Sequence, residues 1–209
     1  MNAAQFIERI RDDNDTALSR LGSSKALYAD TAGEMDEETV LSAAADAEYH
    51  AAVTYEEWAE DEADDTVADA FAETAAEERD HYERVAGELD DHEPGEDVPA
   101  IQAQLRELDG TVERLGGFVG RTIAAEKSKE QFTGYFVGEA DPQTAQLFRD
   151  VGSDLGPQLE RAGELLESVC ESDEDWEQAA AAATEAIQTA YDAYTESLES
   201  MGVNPKPVC

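Results

Sequence analysis

Glu78 and His81 stand three residues apart in Glu78-Arg79-Asp80-His81. With Val67, Phe71, Thr74 and Val85 they step by four and three, which puts them on one face of an α-helix. The other members of that face are apolar or small, so it is expected to turn inward. A carboxylate and an imidazole one turn apart on an interior stripe are costly to bury unless they are paired or bound to a metal. From a single helix such a pair can ligate one ion. The chain is acid-rich, so a Glu three residues before a His is weak evidence alone, and the remaining helices must supply the case.

Ala, Glu, Leu and Gln dominate, which favours helix, and hardly any stretch reads as strand. Residues 1–35 are expected to form an N-terminal helix over about residues 3–21 and an irregular connector holding Tyr28. Residues 36–171 read as a four-helix core. Its first helix, about 37–62, is capped by Asp36 and carries Ala44, Glu48, Ala51, Tyr55 and Trp58 inward. The second, about 66–90, opens on a capping box of Thr66 and Asp69 and carries Glu78 and His81. A loop rich in proline, 92–99, divides the core into two pairs and permits a long crossover. The third helix, about 99–137, carries Leu105, Leu108, Val112, Leu115, Val119, Thr122 and then Glu126 on its stripe. The fourth follows the Asp141-Pro142 cap, is expected to kink at Pro157, and has Glu160 just beyond. Ser172 and Asp175 cap a last helix, 172–201, whose seven-residue spacing suits packing on the bundle or on a second subunit. Residues 202–209 read as a tail punctuated by proline, a disordered end or a docking segment for a partner such as a shell protein.

In both helix pairs one glutamate is followed by a second on the next helix: Glu48 then Glu78, and Glu126 then Glu160. Two helices each giving Glu and two giving Glu-x-x-His is the plan of ferritin-like di-iron carboxylate bundles. The chain resembles the rubrerythrin family of such proteins over about residues 38–170. The motifs are Ala47-Glu48-Tyr49-His50-Ala51, Ala75-Ala76-Glu77-Glu78-Arg79-Asp80-His81, the stretch from Ala125-Glu126-Lys127 to Phe136-Val137-Gly138, and Ala140-Asp141-Pro142. The resemblance implies an all-α, ferritin-like bundle that binds iron and reduces peroxide or dioxygen with electrons from a donor the sequence does not identify. Carried over, the metal ligands are Glu48, Glu78, His81, Glu126 and Glu160, for one or two ions, manganese being compatible with the same donors.

Two departures bear on this. Gly163 stands where the fourth-helix His belongs, leaving a second ion only carboxylates such as Glu130 or Glu164, and no rubredoxin-like domain is expected from these residues. The rival expectation is a metal-free bundle that binds a partner protein, its inward carboxylates paired to Arg121 or Lys129. Among other polar residues, Tyr55, Tyr82 and Tyr135 read as core tyrosines more readily than as electron donors. His50 falls one position off the stripe and is expected in solvent. The glycines at 152, 156 and 163 allow close helix approach, or room for Trp58 or a substrate.

Composition limits the partners. The chain has 209 residues, 14 Lys+Arg and 51 Asp+Glu, for a formal net charge of −37. Such self-repulsion is largely screened at molar salt, where the Debye length is about 3 Å, which points to a cytoplasm of that kind. It argues against nucleic acid and anionic membranes as partners. No apolar run is long enough to span a bilayer, and no signal segment is evident at the start, so a soluble cytoplasmic protein is expected, as a homodimer by the last helix. Cys170 and Cys209 form no Cys-x-x-Cys pair, which excludes a rubredoxin-type iron centre and a zinc ribbon; they are expected as thiols.

Overall fold

The computed structural model describes residues 1–206, and the expectation for Pro207, Val208 and Cys209 lies outside them. Ten helices and no strand occur among the described residues. The long ones are α4 (Glu37–Asp61), α5 (Asp65–Ala86), α7 (Thr111–Gly138) and α10 (Asp173–Ser200). The fourth core helix is made of α8 (Pro142–Ser153) and α9 (Leu155–Val169). Shorter helices are α1 (Ala3–Asp13), α2 (Asp15–Leu21), α3 (Ser24–Asp30) and α6 (Ala100–Leu105). The four-helix core is therefore α4, α5, α7 and α8–α9, a ferritin-like bundle with α1–α3 and α10 added.

The helix starts follow local chemistry. The Asp36 carboxylate accepts from Thr39 N at 3.1 Å and the Asp141 carboxylate from Gln143 N at 3.0 Å, each satisfying a free donor of the first turn. Ser172 and Asp175 close the expected capping box. At α5 the cap is Asp64, which accepts from Thr66 N and Val67 N, in place of the expected Thr66–Asp69 box.

Four expectations of continuity are corrected. The N-terminal helix breaks at Asn14, which is buried; its Nδ2 donates to Ile10 O at 2.9 Å and its Oδ1 accepts from Gln188 of α10. The connector contains α3. Beyond α3, Gly33 takes a φ of +86° and closes a turn in which its N donates to Tyr28 O at 2.9 Å. The third core helix divides at residues 106–110 into α6 and α7. The fourth divides at Asp154, so Pro157 falls in the first turn of α9, where a missing N–H costs nothing, and there is no kink inside a helix.

Three apolar clusters form the core, a small one joining α3 to α10 through Ala26, Ala29, Tyr194 and Leu198. Of the two large ones, one gathers Phe6, Trp58, Phe71, Phe118 and Trp176; the other gathers Leu41, Val85, Phe132, Phe136 and Phe148. The charged residues fall between them: Glu48 between Ala45 and Ala51, Glu78 and His81 between Ala75 and Val85, Lys129 between Ile123 and Phe132.

The last helix packs on this chain's own bundle, against α7. A Cβ on Gly116 would lie 2.2 Å from Ala179 O, and one on Gly120 would lie 2.2 Å from Ala183 O. Both contacts advance in the same sense, so α7 and α10 run in the same direction with backbones in touch. Ala179 and Ala183 of the alanine run supply the facing surface, and Ala181 is exposed. Because α10 covers the side of α7 away from the bundle, every residue from Arg114 to Ala124 is buried.

Gly120→Ala is expected to lower stability by about 1–3 kcal/mol or more, because backbone must move to admit the methyl. Gly134→Ala, where a Cβ meets nothing within 4 Å, is expected to be neutral or to stabilise by about 0.5–1 kcal/mol. Denaturant midpoints of both variants in one buffer measure the difference.

Candidate metal centre

α4 presents Glu48 and α5 presents Glu78 and His81 to the middle of the bundle, with relative exposures of 0%, 0% and 1%. One ligand atom from each, two carboxylate oxygens and an imidazole nitrogen, lie within 4.8 Å of one another. The expected inward stripe on these two helices is therefore present, and its three ionisable members meet.

The opposite wall carries the cations of the rival expectation and not the second pair of ligands that the resemblance implied. There α7 presents Arg121 and Lys129, which are 4% and 5% exposed. Arg121 Nη1 and Nη2 donate to Glu78 Oε1 and Oε2 at 2.8 Å each, a bidentate pair, and Nη2 lies 4.0 Å from Glu48 Oε2. Lys129 Nζ donates to Glu48 Oε1. From α9, Gln158 Nε2 donates to Glu78 Oε1 at 2.9 Å, and Asp154 Oδ2 lies 2.9 Å from His81 Nε2.

Glu126 and Glu160, expected as the second pair of ligands, are not in this group. Glu126 pairs with Arg11 of α1 at 2.8 Å, and Glu160 is exposed on α9. Glu130 and Glu164 are exposed too, Glu130 paired to Lys127. Gly163 does not face the centre either: a Cβ there would meet Ala3 of α1 at 2.8 Å. The helices' rotation explains the miss. With α10 on its back, α7 is buried around its whole circumference from Arg114 to Ala124, so over that stretch apolar periodicity no longer marks which side faces the bundle. On α9 the register shifts with the break at Asp154, and Gln158 takes the inner position.

Other residues resolve as follows. His50 is buried, with Nε2 3.0 Å from Gly95 O, because the crossover loop folds over it. Tyr55 is buried beside Arg121, whose guanidinium carbon is 5.8 Å from the ring centroid. Tyr135 donates to Met35 O, far from the centre in sequence and in contact. Trp58 packs toward Gly117, where a Cβ would lie 3.6 Å from its ring, and it is not among the nearest neighbours of the fourth-helix glycines.

The electrostatics follow from burial in a small volume. Desolvation pushes the Glu48 carboxyl up, with Lys129 opposing it, and Glu78 as a like charge adds to the rise. Desolvation acts on Glu78 in the same sense, but Arg121 and His81 overcome it and hold Glu78 well below the usual carboxylate range. Burial disfavours the His81 cation, yet Glu78, Glu48 and Asp154 together raise its pKa.

Three of these donors suit one first-row ion, and two buried atoms support that fit: Glu48 Oε2 and His81 Nδ1 have no hydrogen-bond partner. A second ion does not fit. Its carboxylates and imidazole are missing, and a guanidinium and an ammonium are placed where it would sit.

The fold and the inward Glu-x-x-His define a ferritin-like bundle with a carboxylate–imidazole cluster that can hold a metal. In sequence, residues 39–113 match the rubrerythrin family model. That span holds α4, α5 and α6, hence all three clustered donors, and stops inside the first turn of α7. No curated protein and no solved structure matches the chain.

Arg121→Met is expected to cost about 3–5 kcal/mol, since it leaves Glu78 buried without its partner. Adding Glu78→Gln to that variant is expected to recover a large part of the loss. A double-mutant cycle in chemical denaturation measures the coupling.

Proposed function

We propose that the chain is a rubrerythrin-like iron protein with a one-ion centre, in which Arg121 and Lys129 replace the second ion, and that it reduces peroxide or dioxygen. The observation that carries this reading is the pair of partnerless buried atoms in the cluster with Glu78, Glu48 Oε2 and His81 Nδ1, the latter 3.8 Å from Glu78 Oε2. The rubrerythrin match over the helices that supply these residues supports iron, with manganese compatible. When bound, such an ion supplies one-electron redox chemistry and Lewis acidity.

The remaining work belongs to the side chains. Arg121 and Gln158 fix the Glu78 carboxylate in one orientation, and Lys129 fixes Glu48. Asp154 at His81 Nε2 settles the imidazole so that Nδ1 points at the carboxylates. The apolar clusters on either side limit water there.

A second reading, a metal-free bundle acting through a partner protein, is favoured by the same two cations. Arg121 and Lys129 neutralise the carboxylates with the protein's own charge.

Purification in molar salt followed by anaerobic reconstitution with Fe(II) separates the two. The first reading expects about one ion per chain rather than two, lost in Glu78→Ala and in His81→Ala. Iron well below one equivalent, with Glu78→Ala retaining whatever binds, overturns it in favour of the second.

A further inference from the structure

The fourth core helix meets the centre with two side chains one turn apart. Asp154, at the head of α9, lies 2.9 Å from His81 Nε2, and Gln158 reaches Glu78. Gln158 is 0% exposed, and burying an amide is costly unless both of its ends are satisfied. One end is. Its Nε2 donates to Glu78 Oε1 at 2.9 Å and to Glu77 Oε2 at 3.2 Å. Both partners are carboxylates, which only accept, so the amide has one orientation: turned over, its oxygen would face two anions.

The other end is open. Gln158 Oε1 is buried, and no donor meets it among the described residues. Glu48 Oε2 and His81 Nδ1 are buried without partners as well. The side chains gathered around Glu78 therefore hold three open atoms, one each from α4, α5 and α9. Oε1 shares its carbon with the nitrogen that touches Glu78, so it lies within one amide's width of that contact. A side chain needed only to donate to Glu78 would leave this oxygen buried at a loss. An N–H, an O–H or a cation would satisfy it, and the surrounding side chains bring it none of these. A single ion beside Glu78 would satisfy all three open atoms, and a carbonyl oxygen is a hard donor of the same kind as a carboxylate oxygen.

We propose that Gln158 is the fourth ligand of the one-ion centre: its Oε1 binds the ion that Glu48, Glu78 and His81 hold, while its Nε2 keeps Glu78 in place. This role rests on the one-ion reading of the centre. It gives the fourth core helix, where Gly163 faces α1, a donor of its own.

The probe is Co(II) chloride, whose visible absorption reports the ligands around it. It is titrated without oxygen, in molar sodium chloride, into the full metal-free chain and into Gln158→Met and Gln158→Glu. Methionine has the length of glutamine without its oxygen or its N–H; glutamate keeps an oxygen at the position and loses the donor. About one Co(II) per chain is expected for wild type. Gln158→Met is expected to bind about tenfold or more weakly, with a changed visible spectrum. Gln158→Glu is expected to bind at least as tightly as wild type. A residue that only positions Glu78 predicts otherwise. The bound spectrum would then be the same in Gln158→Met as in wild type, and Gln158→Glu would bind weakest of the three, because it sets a like charge against Glu78 without a donor. Either result overturns the proposal. Circular dichroism checks folding, and if Gln158→Glu does not fold, the Gln158→Met spectrum decides. Wild type that takes up no Co(II) removes the centre, and this role with it; Co(II) bound with an unchanged spectrum in Gln158→Met removes the role of Gln158 alone.

Discussion

Two glutamates buried at the middle of a helical bundle set the terms for everything around them. Taking an ionised carboxylate out of water costs several kcal/mol even after relaxation, so Glu48 and Glu78 are tolerable only with positive charge in contact. Here that charge is an arginine and a lysine from the facing helix. The chain has only four lysines, and one of them, Lys129, is spent in the interior, although the strongly acidic surface has many carboxylates that would accept it. Its ammonium meets a carboxylate that burial would otherwise leave without a counter-charge.

The arrangement is asymmetric. One helix pair keeps the donors of a carboxylate–imidazole metal site, and it is the pair the rubrerythrin model matches. The other pair supplies donors to those carboxylates: a guanidinium, an ammonium and the Gln158 amide. One half of the bundle thus presents a possible carboxylate–imidazole metal cluster, and the other half meets it with fixed protein charge, which cannot change oxidation state or leave.

Legibility in the sequence followed the same division. On α4 and α5 one face is apolar and the other wet, so the spacing of Glu48, Glu78 and His81 marked the inner stripe, and caps such as Asp36 and Ser172 marked helix starts. On α7 that signal fails, because α10 buries the outer face as well. Thr122 and Glu126 looked inward by spacing, while Arg121 and Lys129 hold the position and Glu126 answers Arg11. Gln158 left even less trace, since its position depends on where α8 ends and α9 begins. Long-range cover and helix rotation are tertiary facts, and no local pattern encodes them.

The glycine seam between α7 and α10 has an evolutionary corollary. A glycine pressed on a carbonyl has no smaller replacement, so Gly116 and Gly120 can drift only by forcing two backbones apart. Arg121 is covalently next to that seam, and any shift of it would swing the guanidinium off Glu78. Tolerance to change along this one helix should therefore be lopsided: nearly nil at the two pressed positions, and generous a few turns on, at Gly134 and Gly138, where the surroundings are empty.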